Sequence, residues 1–287
     1  MNTENQKINK GINIKTRRII AYLVLILITL LCLFWFFILI INATRSHSEM
    51  TKGFTPLPSS YLLTNWKNLL TGTLPVWSGL INSLIVAGLS ALFSVYFSSM
   101  TAYAIHAYDF RLKKAIFTFI LMIMMIPTQV TALGFLQLIG KLKLEDSFIP
   151  LVVPTIAAPI TFFYMKQYLE STLPLSIVES ARIDGSGEFH TFNGIVLPMM
   201  KPALAVQAIF TFVSSWNNYF IPALVLHKDN KKTLPILIAQ LRSADFLKFD
   251  MGQVYVMIAF SILPIIIVYL LLSRYIVQGV ALGSVKG

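Results

Sequence analysis

Few side chains in this 287-residue sequence could do acid–base or metal chemistry, and their order is wrong for catalysis. Twelve carboxylates and four histidines are present, but no Ser–His–Asp set, HExxH pattern or carboxylate pair is placed to act together. Segment 134–141 approaches a phosphate-binding loop. Its glycines, Gly134 and Gly140, are one residue too far apart, and Leu142 stands where a magnesium-binding hydroxyl belongs. Gly185 and Gly187 do not complete a dinucleotide fingerprint. The single cysteine, Cys32, excludes an intrachain disulfide and a thiolate zinc cluster. The sequence therefore assigns no catalytic residue and no metal site. The most unusual segment between the apolar runs is 170–202, which carries Glu179, Arg182, Asp184 and Glu188.

The elements that carry these residues follow from composition. Hydrophobic residues make up 56% and charged residues 12%, and the mean hydropathy is +0.73. So few charges cannot cover a water-soluble surface, which excludes a soluble enzyme and a disordered chain. The expected class is an all-α integral membrane protein. A helical span needs about 20 apolar residues. Six runs qualify: 19–41, 79–105, 115–139, 148–165, 203–226 and 254–276. They are continuous rather than alternating, unlike barrel strands. The net charge of +11 is read as basic flanks of spans rather than as a nucleic-acid surface.

Lys7, Lys10, Lys15, Arg17 and Arg18 precede the first run and should hold residues 1–18 in the cytoplasm. The run is too long for a cleaved signal peptide. Six spans return the C-terminus to the same side, with loops 106–114 and 166–202 cytoplasmic. Loops 42–78, 140–147 and 227–253 then face outside. The last of these carries Lys228, Lys231, Lys232, Arg242 and Lys248, against the usual charge bias.

All twelve carboxylates lie outside the six runs. Ion-driven carriers commonly hold ionisable groups at the midplane. Their absence counts against a secondary carrier working as a dimer without an ATPase, which stays as the rival expectation, with a non-transporting scaffold the third. Uphill transport would draw its energy from another subunit.

Within 170–202, Pro174 suits a helix start, and Leu175, Val178 and Ala181 recur at helical spacing. Asp184-Gly185-Ser186-Gly187 should stop that helix. A second short helix follows, with Phe189, Phe192, Ile195 and Val196 on one side and Pro198 and Pro202 at its far end. Two physical readings stay open. The elbow is a rigid knob showing Glu179, Arg182 and Glu188 to a partner, or it is a loop on the membrane with Glu179 and Arg182 paired at i,i+3.

The segment resembles the coupling motif of ATP-binding cassette (ABC) importer permeases, roughly EAAxxDGAxxxxxFxxIxLPxxxP. Glu179, Ala181, Asp184, Gly185, Phe192, Ile195, Leu197, Pro198 and Pro202 match it, while Ser180 and Ser186 replace alanines. Met125-Ile126-Pro127, Leu173-Pro174 and Trp216-Asn217-Asn218 resemble the carbohydrate branch of that family. The residues from Gly279 to Gly287 resemble the tail of its maltose-type second permease.

The resemblance implies a transmembrane domain over 19–287, a coupling elbow at about 170–202 and a cytoplasmic tail at about 277–287. Its implied partners are a paralogous second permease, a cytoplasmic ATPase dimer and an extracellular solute-binding protein, in a bacterial or archaeal cell membrane. ATP and magnesium would sit in the ATPase, and no cofactor in this chain. Glu179, Ser180, Ala181, Asp184, Gly185 and Pro198 would couple to the ATPase. Gly283, Lys286 and Gly287 would reach into its dimer. Trp216, Asn217, Asn218 and Tyr219, expected inside the fifth span, pair amides with aromatic faces and are candidate sugar contacts; interhelical packing is the plainer account of them.

Overall fold

The computed structural model describes residues 13–243 and 249–284, with 276–284 described by backbone only. Helix is the regular structure throughout the described residues. The principal helices are α1 (Ile14–Ala43), α2 (Val76–Ala107), α3 (Lys113–Ile123), α4 (Thr128–Leu142), α5 (Pro159–Thr172), α6 (Leu175–Ile183), α7 (Lys201–Trp216), α8 (Leu234–Arg242) and α9 (Met251–Ser284). Four helical stretches are long and apolar enough to cross a membrane: α1, α2, Ile149–Thr172 and Met251–Tyr275. Two bent helix pairs, Lys113–Ile123 with Thr128–Leu142 and Glu188–Met199 with Lys201–Trp216, bring the number to six where each pair counts as one broken span.

Contacts group the chain into two units. One contains the described residues up to Trp66 with Asp250–Ala259. Here the apolar faces of α1 are bare, and only Ile41, Asn42 and Ala43 are buried. The buried Arg45 ties the turn after α1 together, donating to the carbonyls of Glu49 and Gly53 (2.9 Å to the latter). Asn65, also buried, donates through one amide nitrogen to the carbonyls of Ala43 (3.1 Å) and Arg45 (2.9 Å). A Cβ on Gly252 would stand 2.6–2.7 Å from the Asn65 amide group. We expect Gly252→Ala to displace that amide and destabilise the unit by about 1–3 kcal/mol. A lowered melting temperature in detergent checks this; an unchanged one contradicts it.

The other unit contains Lys67–Phe249 and the chain from Phe260. Its axis is α2, which packs mainly on α7 and α5. Small residues on α2 make close approach possible: Ser83, Ala87, Ser90, Ala91, Ser94, Ser98 and Ala102 are all buried. Ser94 donates to Thr161 (3.1 Å) and Ser98 to the carbonyl of Ala158 (3.3 Å).

Three expected spans differ from simple helices. The third is broken. The amides of Met124, Met125 and Ile126 tighten to i−3 bonds, Pro127 has no N–H to continue, and α3 and α4 meet at 97°. The fourth extends past 165 to Thr172 but passes through a 3₁₀ turn at Val153–Ile156 before Pro159 restarts the helix. The fifth stops at Trp216, and a separate short helix, Phe220–Val225, comes after it.

At the end of the unit remote from the elbow, Asp146 is a clamp in a left-handed conformation (φ 56°). Its Oδ1 accepts from the backbone N–H of His227 (2.6 Å) and Lys228 (2.8 Å), while Asn82 donates to the carbonyls of Asn230 and Lys232 (both 2.9 Å). The amide of Lys228 foremost, with that of His227, holds the Asp146 carboxyl below its usual range. A depressed folded-state value means that the stabilisation is complete above the ordinary pKa of about 3.9 and is lost as pH falls through the folded value. Exchange protection of the His227 and Lys228 amides should therefore fall below about pH 4 and hold steady from about pH 5 to 8. Protection unchanged at about pH 3 would contradict the clamp.

Candidate functional site

The elbow between α5 and α7 is built by its own sequence. Leu173, Val178 and Ala181 are buried, so α6 lies with one face on the helices behind it. After Ile183 the chain closes a Schellman turn: the Ser186 amide donates to the Ala181 carbonyl (2.9 Å) and the Gly185 amide to the Arg182 carbonyl (3.0 Å). Gly185 sits at φ +79°, the left-handed region a side chain penalises. The chain then turns back through Glu188–His190, a π-turn at Thr191–Val196 and Leu197–Met199. Thr191, Phe192 and Val196 are buried; an 81° bend leads into α7, where Pro202 takes an early position.

Glu179, Ser180, Asp184, Gly185 and Pro198 are exposed and Ala181 is buried. Among the described residues the Glu179 carboxylate has no partner, so the expected Glu179–Arg182 pair does not form. Arg182 turns instead to Glu188, Nε to Oε1 2.7 Å. Glu188 Oε2 accepts from Tyr103 (3.2 Å) and from Tyr108 at the end of α2. Arg182 and Glu188 are therefore not both offered to a partner; they hold each other. The Arg182 guanidinium, with the Tyr108 hydroxyl next, holds the Glu188 carboxyl low, and Glu188 in turn raises Arg182. Burial and the bond to Glu188 raise the Tyr108 phenol.

Phe189 also departs from expectation. It does not share the inner face with Phe192 and Val196 but is 72% exposed. Ile183, beside the turn and 86% exposed, carries no signal in the sequence that would single it out. Together with Glu179 and Asp184 they make a knob with apolar tips and an acidic side.

The residues 216–219 divide. Trp216 is buried (3% exposed), stacks on Phe212 (5.5 Å) and donates its indole N–H to the Ser261 carbonyl (3.1 Å), so it packs helices. Asn217, Asn218 and Tyr219 are exposed where α7 ends, not inside a span. Asn218 lines a cleft of about 550 Å³ with Thr128, Thr131, Thr155 and Ser215. The broken third span, the 3₁₀ turn of the fourth and the end of α7 all meet there. Interrupted backbone at membrane depth is tolerated where it lines a water-filled space. The hydroxyls of Thr128, Thr131, Thr155 and Ser215 carry no sequence signal, since Ser and Thr recur throughout the spans. Among the described residues no cluster of His, Cys, Asp or Glu could hold a metal ion. Gly283 lies in the last turn of α9; Lys286 and Gly287 lie outside the described residues.

Residues 94–282 match the family described as "Binding-protein-dependent transport system inner membrane component". An arabinooligosaccharides transport system permease protein of Bacillus subtilis, AraQ, is 34% identical and aligns over 94% of this chain and 96% of its own. The lactose transport system permease protein LacG of Rhizobium radiobacter is 27% identical, over 93% and 96%. The sn-glycerol-3-phosphate transport system permease protein UgpE of Yersinia pestis is 29% identical, over 91% and 95%. A bacterial ABC transporter involved in import of the acidic polysaccharide alginate shares the fold, with a TM-score of 0.78, 22% identity and coverage of 91% and 96%.

Proposed function

Because the chain belongs to the family of binding-protein-dependent transport system inner membrane components and is a multi-pass permease subunit of an ABC importer, we propose that it forms half of an oligosaccharide pathway, gated through its elbow. A second, paralogous permease supplies the other half, and an extracellular binding protein delivers the solute. A cytoplasmic ATPase dimer grips the knob of Glu179, Ile183, Gly185 and Phe189 from the side that holds both termini. Glu179 meets polar or basic groups of that dimer, Ser180, Ala181, Asp184 and Pro198 fix the shape it grips, and the segment of Gly283, Lys286 and Gly287 reaches between its halves. ATP and magnesium stay in the ATPase, and hydrolysis is not this chain's work.

The carrying observation is the elbow itself: a glycine-fixed turn with bare apolar tips, on a chain that aligns almost end to end with AraQ. A lever must be stiff to pass on a displacement, and the Schellman closure supplies the stiffness. The cleft at Asn218 supports a polyhydroxylated solute. Its hydroxyls and amide can exchange hydrogen bonds with sugar hydroxyls, and the exposed Tyr219 ring nearby in the chain offers an apolar face.

The test is solute-stimulated ATPase activity and uptake by the complete complex in proteoliposomes, with pentose and hexose oligosaccharides as solutes. Asn218→Leu should raise the concentration for half-maximal uptake about five- to tenfold, one lost hydrogen bond, with the unstimulated ATPase rate unchanged. No response to any oligosaccharide would overturn the solute class.

A further inference from the structure

We propose that Glu188 is a positioning residue for coupling: with Arg182, Tyr103 and Tyr108 it clamps the elbow to the end of α2, so that a pull on the elbow moves the central helix of the unit. The inference rests on the elbow being the ATPase contact, and goes beyond it by naming the joint between that contact and the membrane helices.

The geometry is specific. One carboxylate gathers three donors from two parts of the chain. Arg182 reaches it across the Schellman turn at 2.7 Å. Tyr103, in the last turns of α2, donates at 3.2 Å, and Tyr108, one residue past the end of α2, donates to the same oxygen. The Arg182 guanidinium also lies over the Tyr108 ring, 5.1 Å from its centre. Beneath the clamp, Tyr103 and Tyr96 of α2 pack on Phe192 of the elbow, at 5.6 and 5.8 Å between ring centres. Tyr96 donates to Asn193 at 3.2 Å, and His106 of α2 bonds the Leu173 carbonyl at 2.9 Å. The elbow is thus held to α2 on both of its arms.

Stability alone does not explain the clamp. Arg182 and Glu188 are partly exposed, and an exposed ion pair adds little to folding. A charged network that closes a turn and also grips a neighbouring helix resists relative motion of the two, which is what a lever joint needs. α2 is the right recipient, because it packs on α5 and α7 at once, and those helices flank the elbow. The knob residues Glu179, Ile183 and Phe189 take no part in the clamp, so gripping and transmitting are separable.

The experiment compares solute taken up per ATP hydrolysed by the complete complex in proteoliposomes. The variants are Glu188→Ala, Tyr108→Phe and the pair Tyr103→Phe with Tyr108→Phe. Glu188→Ala and the double variant should lower the ratio about fivefold or more, with Tyr108→Phe between them and the wild type. The ATPase subunit should co-purify in full measure. Tyr108 is half-buried just past the end of α2, and Tyr108→Phe removes one hydroxyl only, so this variant tests the joint even if Glu188→Ala fails to insert. As a rescue, Tyr108→Cys with Glu188→Cys, in a Cys32→Ser background, is bridged by a short bifunctional thiol reagent. The ratio should fall without the reagent and return with it. An unchanged ratio in the double variant would overturn the clamp, as would a fallen ratio that the bridge fails to restore. A wild-type complex without ATP-driven uptake would instead overturn the reading of the chain as a coupled permease.

Discussion

Replacing Gly185 by valine should abolish coupled transport, with uptake by the complete complex falling more than about tenfold while the protein still inserts. Gly185 has φ +79° and nothing within 4 Å of where a Cβ would sit, so the penalty is conformational rather than steric crowding by neighbours. A left-handed backbone costs an ordinary L-residue roughly 1–2 kcal/mol, and a β-branched residue more. The cheapest relief is to open the turn, which releases the Ser186-to-Ala181 and Gly185-to-Arg182 bonds and with them the angle between the elbow's two arms. It also carries Glu188 away from Arg182. Asparagine tolerates this conformation and is the control: Gly185→Asn should keep most of the uptake. Equal uptake by the valine variant and the wild type would mean that the bend angle does not matter.

Phe189→Asp should release the ATPase. Phe189 is 72% exposed, so its loss leaves the permease core intact. Burying such a ring in a groove contributes about 1.5–3 kcal/mol, which corresponds to about a 10- to 150-fold change in affinity. An aspartate there forfeits that contribution and must be desolvated as well. The measurement is titration of the solubilised permease pair with purified ATPase, read by co-elution or by the rise in hydrolysis. Phe189→Leu should lose much less. Full affinity in the aspartate variant would move the grip elsewhere on the elbow.

The features legible in the sequence and those hidden from it divide along a physical line. Apolar runs and the stop after Ile183 are local properties: the stop stands where expected and the first, second and sixth runs are single helices, while the third, fourth and fifth are interrupted. Gly185 can be read because a helix end leading into Asp-Gly has few conformations open to it. The break at Met124–Pro127 is legible only as a proline: the lost N–H is the same for a gentle kink and for a 97° turn, and packing decides between them. Helical spacing misplaces Phe189 because it assumes one helix type. The π-helical stretch Thr191–Val196 turns through a smaller angle per residue than an α-helix, so Phe189, just before it, leaves the face that Phe192 and Val196 within it keep. The i,i+3 spacing assigns Arg182 to Glu179, but the Schellman turn folds the chain back and brings Glu188 within 2.7 Å. The partners Tyr103 and Tyr108 come from 85 and 80 residues earlier, a distance no local pattern crosses. Trp216 has an aromatic face to offer a sugar in the sequence; in the structure its N–H is already spent on Ser261.

We propose that this chain is a gate without an engine, moved by hydrolysis in its neighbour. This is tested most directly by solute accumulation in proteoliposomes under imposed proton and sodium gradients, with the complete complex carrying an inactivated ATPase and, separately, with this chain alone. The account predicts no accumulation in either preparation, and accumulation when ATP is given to the intact complex. Accumulation against a concentration gradient by the chain alone, driven by either ion, would contradict it.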